Sequence, residues 1–113
     1  MIDEYTFTRK LGPAAAQNEL EAHWKSWITQ DDFNEIASMG LNHVRIPIGY
    51  WALNPLPRDP YIQGQLPILD NAIDWARNAS LKVLLDLHGG TIPLDSYFIN
   101  WADIYSTRIA KRI

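Results

Sequence analysis

The sequence predicts an α/β fold built on a parallel sheet. Two observations carry that reading. The runs Asn42 to Ile48 and Leu81 to His88 read as short strands, the first by its β-branched alternation and the second by being nearly all apolar. Between them, Leu66 to Ala79 is an amphipathic helix, with Ile68, Leu69, Ala72, Ile73 and Ala76 on one face and Asp70, Asn71, Asp74 and Arg77 on the other. Strand, helix and strand in that order form a right-handed βαβ unit, and a second strand this apolar suits a sheet covered on both faces.

The elements follow in chain order. The first stretch is mostly helical: from Ala14 to Trp27, Leu20, Trp24, Trp27 and Ile28 fall on one helix face, and Pro13 sits where a first turn tolerates proline. This spacing places Trp24 and Trp27 in the core, and Trp75 joins them from the later helix. Thr29 to Asp32 has the capping-box form, opening a helix from Gln30 to Met39 that turns Phe33, Ile36 and Ala37 inward. Gly40 supplies its left-handed end. Pro47 belongs at the first strand's end, because proline cannot complete a central ladder. Gly49 to Gln65 is a long connection with Pro55, Pro57, Pro60, Tyr50, Trp51 and Tyr61, and long aromatic loops are often functional. Tyr50 and Trp51 suit either sugar stacking or loop packing. Gly89-Gly90 ends the second strand, and Thr91 to Ile113 reads as weakly helical from Ser96.

Composition narrows the function classes. The chain has 113 residues, 47% of them hydrophobic and 20% charged, which is globular in character. A net charge of −3, with ten dispersed Lys and Arg, argues against nucleic-acid binding. Zero Cys excludes disulfides, a thiolate metal site and a cysteine nucleophile. No apolar run approaches the ~20 residues that cross a bilayer, and the acidic start Met1 to Tyr5 is not that of a signal peptide. Asn78-Ala79-Ser80 is an N-glycosylation sequon at a turn that could be exposed.

Polar residues gather toward the strand ends: Arg45 in the first, Asp86 and His88 in the second. Ligands of α/β folds bind beyond the carboxyl ends of strands. Asp86 and His88, two apart, share one side of their strand, and Arg45 reaches them if the registers match. Asp86 is then expected to hold Arg45 by an ion pair.

Three segments resemble a known family: Gly40 to Trp51, containing Val44-Arg45-Ile46-Pro47; Asp59 to Leu66; and Leu81 to Gly89, containing Asp86-Leu87-His88-Gly89. Asp3 to Thr6 and the Trp24 to Phe33 stretch fit as well. Together they resemble the fungal exo-β-1,3-glucanases of glycoside hydrolase family 5. The resemblance runs from about Ile2 to Gly89. It implies an incomplete (β/α)8 barrel, covering roughly the second and third βα units, since such a barrel typically needs ~250 residues. Residues 1–89 are then a partial catalytic domain and 90–113 a divergent, unassigned tail.

The resemblance implies retaining hydrolysis of β-1,3-glucan with release of glucose, without metal or cofactor. Arg45 and His88 would bind substrate in the glucosyl subsite, with Asp86 in support. The two catalytic carboxylates of the family have no match: no Asn-Glu-Pro motif occurs, and Glu4, Glu19, Glu21 and Glu35 all precede the first strand. The fragment alone is therefore expected to be inactive, with no catalytic residue of its own. The parent is expected to be a monomer, extracellular or in the cell wall, with a glucan or oligosaccharide as partner and neither nucleic acid nor membrane. The rival readings are a non-catalytic carbohydrate-binding remnant using Tyr50 and Trp51, and a small α/β domain of unrelated function.

Overall fold

The structure, a computed structural model, describes residues 3–88. The expectations for Thr91 to Ile113, and for 90–113 as a separate tail, lie outside the described residues. Five elements match the sequence reading to within a residue or two, and one more was not separated there. Glu4–Leu11 forms its own helix, α1. Asp3 caps it by accepting a hydrogen bond from the Thr6 backbone N–H at 2.7 Å. Arg9 and Lys10 fill its last turn, where cations suit the carbonyl end. Gly12, at φ 79°, then breaks the chain's direction, and Pro13 opens α2, Pro13–Trp27.

α3 spans Gln30–Ser38. Its start is the expected capping box: the Thr29 backbone N–H and hydroxyl both donate to one oxygen of Asp32, at 2.6 and 2.9 Å. Gly40 follows at φ 83°, the left-handed conformation expected of it. The strand β1 covers His43–Gly49, one 3₁₀ turn covers Tyr50–Ala52, α4 covers Gln65–Asn78, and β2 covers Lys82–His88.

The two strands pair in parallel, with Val44 beside Val83, Ile46 beside Leu85 and Gly49 beside His88. Pro47 lies within β1, not at its end. Among the described residues β1 has a neighbour on one side only, and such an edge tolerates the missing N–H.

Alternation sorts the strand residues onto two faces. Val44, Ile46 and Val83 pack against a core of Phe33, Ala72, Ala76 and Leu81 supplied by α3, α4 and the turn before β2. Phe33 is 1% exposed, and burial of such a side chain contributes about 1.5–3 kcal/mol. The opposite face carries Arg45, Leu84 and Asp86, and Leu84 is 62% exposed. Cover on both faces of β2 was expected; among the described residues helices cover only one.

A second small core joins α1 and α2 to the long connection. Ala16, Leu20 and Ile62 are buried there, with Phe7 and Trp24 packed around them. The connection is thus anchored at Ile62. Asp59 staples its middle, accepting hydrogen bonds from the Tyr50 hydroxyl and the Leu56 backbone N–H, both at 2.8 Å.

The tryptophans divide. Trp75 packs on the main core and Trp24 on the second, but Trp27 is 76% exposed. Trp27 does share the face of Leu20 and Trp24, yet it ends α2 and is not among the residues packed on the second core; the His23 ring lies 5.0 Å from it. Spacing identifies a helix face but not what stands opposite each residue. No helix among the described residues is long and apolar enough to cross a membrane.

Candidate functional site

Arg45 is the third residue of β1 and Asp86 the fifth of β2. The register sets Arg45 beside Leu84 and Asp86 beside Pro47. The guanidinium must therefore lean two residues toward the carboxyl ends of the strands to reach the carboxylate. It does so, donating from Nε at 3.1 Å and from Nη2 at 2.5 Å to the same oxygen, Oδ2. The side chains are 60% and 28% exposed respectively, so one face of the pair is open to solvent. As an ion pair in water it adds little stability, about 0–1 kcal/mol. Its physical effect is orientation: a long flexible cation is held at one spot above the open face of the sheet.

His88 ends β2, in register with Gly49. The expectation for its side chain lies outside the described part of the structure.

The aromatic residues of the connection are committed to one another. Trp51 stacks on Tyr61, with centroids 4.2 Å apart and planes 8° from parallel. Tyr50 meets both rings edge-on, at 5.4 and 6.2 Å, and Tyr5 of α1 meets Tyr61 at 5.8 Å. The benzo ring of Trp51 also lies over Gly49, where a Cβ would sit 2.4 Å from it. A residue with any side chain would displace the indole, so glycine is required there by close approach. Loop packing is the role the structure gives Tyr50 and Trp51.

One participant escaped the sequence reading. Glu4 accepts hydrogen bonds from the Trp51 indole N–H and from the Gln65 side-chain amide, both at 3.3 Å. It ties α1 to the end of β1 and the start of α4, the corner beside Gly49. Burial raises its carboxyl above the usual range, against the opposing effect of those two hydrogen bonds. Burial, reinforced by the hydrogen bond and charge of Asp59, pushes the Tyr50 phenol up to about 12. Tyr61 is raised too, by burial and then by Asp59. Both phenols therefore stay protonated near neutral pH. An N-cap Asp3 before an acidic first turn was the signal that α1, and with it Glu4, begins here.

On the helix side of the sheet an apolar cleft of about 170 Å³ opens between α2, β1 and α4, walled by Trp24, Trp27, Ile46, Ile48 and Leu69. It lies on the face opposite Arg45 and Asp86. Its lining is mainly hydrocarbon, unlike the charged pair that could grip a hydroxylated ligand.

The cellulase family model, glycosyl hydrolase family 5, matches residues 8–112. The chain belongs to glycosyl hydrolase family 5. Its relatives within that family include a glucan 1,3-beta-glucosidase of Blumeria graminis, 65% identical over 89 residues. A probable glucan 1,3-beta-glucosidase A of Aspergillus fumigatus is 60% identical over 88 residues, and a glucan 1,3-beta-glucosidase of Schwanniomyces occidentalis is 59% identical over 88. These alignments cover 78–79% of this chain but 21% of each relative. The chain thus spans about a fifth of the length of these glycosyl hydrolase family 5 proteins. The family implies a (β/α)8 barrel, and the described α/β arrangement, with two parallel strands and helices on one side, is consistent with an incomplete one.

Proposed function

We propose that this segment forms part of the glucosyl-binding subsite of an enzyme that hydrolyses β-1,3-glucan with retention, releasing glucose. The observation that carries the reading is the Arg45–Asp86 pair on the open face of two parallel strands, leaning toward their carboxyl ends. Arg45 and His88 contact the sugar, and Asp86 positions Arg45. A retaining glycosidase uses two carboxyl groups about 5–5.5 Å apart. None of this chain's glutamates fits: Glu4 lies on α1, Glu19 and Glu21 on α2, and Glu35 on α3. The segment supplies binding and electrostatics, while the acid/base and the nucleophile belong to the remainder of a full-length parent. A fixed cation beside that nucleophile favours its ionised form.

The names of the relatives support a β-1,3-glucan or oligosaccharide as the partner of the parent. The reading includes a monomeric parent acting outside the cell or in its wall, with neither metal nor cofactor, and inactivity of this chain alone. It also keeps 1–89 as the partial catalytic domain: the alignments named above span 88–89 residues, although the family match continues to residue 112.

The test is a chimera in which residues 3–88 replace the matching segment of the Blumeria graminis relative. The chimera is expected to release glucose from laminarin, and the chain alone is expected to release none. Arg45→Ala in the chimera should lower kcat/KM about 100-fold, the scale of one lost charge-stabilising donor. A cooperatively melting chimera without activity, or an Arg45→Ala chimera with full activity, would refute the assignment.

A further inference from the structure

The turn from α4 into β2 is built in an unusual way. Its hydrogen bonds are those of a Schellman end: the Ser80 N–H donates to the Arg77 carbonyl at 2.9 Å, and the Leu81 N–H donates to the Ala76 carbonyl at 2.8 Å. That geometry puts the residue after the cap in the left-handed region, which normally selects glycine or asparagine. Here it is Ser80, at φ 60°. The corresponding turn after α3 uses Gly40, at φ 83°. A serine thus bears backbone strain at a place where the same chain elsewhere uses glycine, and strain held at one residue points to a role for its side chain.

Ser80 is the hydroxyl residue of Asn78-Ala79-Ser80, the one Asn-X-Ser/Thr triplet in the sequence. Asn78 and Ser80 are both exposed. Among the described residues, the Asn78 side-chain amide makes one long hydrogen bond, donated to the Gln30 side-chain oxygen at 3.4 Å. An amide substituted once on nitrogen keeps an N–H, so that bond survives modification. The turn also feeds the amino end of β2. Gly49 and His88 close the opposite end, ~20 Å away along a seven-residue strand. A bulky group on Asn78 therefore stands clear of the Arg45–Asp86 end of the sheet.

We propose that Asn78 is the acceptor of an N-linked oligosaccharide, and that Ser80 is held in its strained turn to complete the acceptor triplet. In the transfer the Asn78 side-chain nitrogen bonds to the anomeric carbon of a polyprenyl-pyrophosphate-linked oligosaccharide. The bond from that carbon to the pyrophosphate oxygen breaks, the lipid pyrophosphate leaves with the electron pair, and one amide proton passes to a base of the transferase. This goes beyond the hydrolase reading and stands without it.

The full chain, preceded by a cleavable secretory leader and translated with microsomes, tests the proposal, scored only on leader-cleaved product. The expected product is a single heavier species that peptide N-glycosidase collapses, leaving Asp at position 78 in the tryptic peptide 78–82. Asn78→Gln and Ser80→Ala should abolish the shift, and Ser80→Thr should keep it. Ser80→Gly should abolish it while raising the unfolding midpoint, a split that a merely structural serine would not produce. Unshifted leader-cleaved chain, or a shift that persists in Asn78→Gln, would overturn the proposal.

Discussion

The two helix–strand units, α3 with β1 and α4 with β2, reach the same geometry by different means. The first is nine helical residues held by local polar devices: a capping box at its start and a glycine at its end. It buries one residue fully, Phe33. Leu41, at the end of its turn, is 56% exposed. The second is fourteen residues with no side-chain cap, starting after Gly64 at φ 141° and ending through a strained Ser80. It buries Leu69, Ala72, Ile73 and Ala76, and its turn residue Leu81 is 6% exposed. Local hydrogen bonds can define a short helix, whereas a longer one with poor ends depends on what its face touches. The second unit can carry backbone strain because Leu81 anchors the turn in the core.

The largest effect should therefore separate the two leucines. Leu81→Ala is expected to cost about 2–4 kcal/mol, as for a buried aliphatic truncated in a core. Leu41→Ala should stay within about 0.5 kcal/mol. Urea unfolding of the two variants measures both, and equal midpoints would erase the contrast.

The cap should matter next. Thr29→Ala is expected to cost about 1 kcal/mol and to loosen α3 first. Amide hydrogen exchange across 30–38, compared with 65–78, reads this directly. Loss of protection spread equally over both helices would mean that the units do not differ in the way proposed.

The smallest effect lies at the corner where α1 meets both units. The Glu4 carboxyl is raised above its ordinary 4.5, so its contribution is complete below that pH and fades as pH rises through the folded value. Asp3 and Asp32 are lowered from 3.8 by hydrogen bonds from Thr6 and Thr29, so their contributions are present above that pH and fade in acid. Between pH 4.5 and 7 the wild type should lose stability relative to Glu4→Gln, followed by Trp fluorescence during urea unfolding. A pH-independent difference between the two would remove Glu4 as the titrating group.

Much of this was legible in the chain itself because local rules govern it. Periodicity marked the buried face of α4, a hydroxyl and a carboxylate three residues apart marked the start of α3, and Gly40 marked its end. The Asp86–Arg45 pairing was legible from residue spacing once a parallel register was assumed. The surprises were nonlocal. Trp27 has the right spacing for a core residue but stands 76% exposed at the end of α2, on the wall of the apolar cleft. Glu4 gains its partners Trp51 and Gln65 from residues 47 and 61 positions away. By sequence Trp51 suits sugar and protein equally; through space, Tyr61 stacks on it.

What the sequence determined alone is therefore the helices α2, α3 and α4, the two strands, the inward faces of α3 and α4, and the family motifs around Arg45 and Asp86. Each depends on a repeat of 3.6 or 2 residues, or on chemistry within four positions along the chain. Only the tertiary structure decided which aromatic rings are committed to the fold, which strand face stays open and how far Arg45 leans to meet Asp86. Those depend on register and on segments that meet through space, where a shift of one residue would turn every side chain of a strand to the other face.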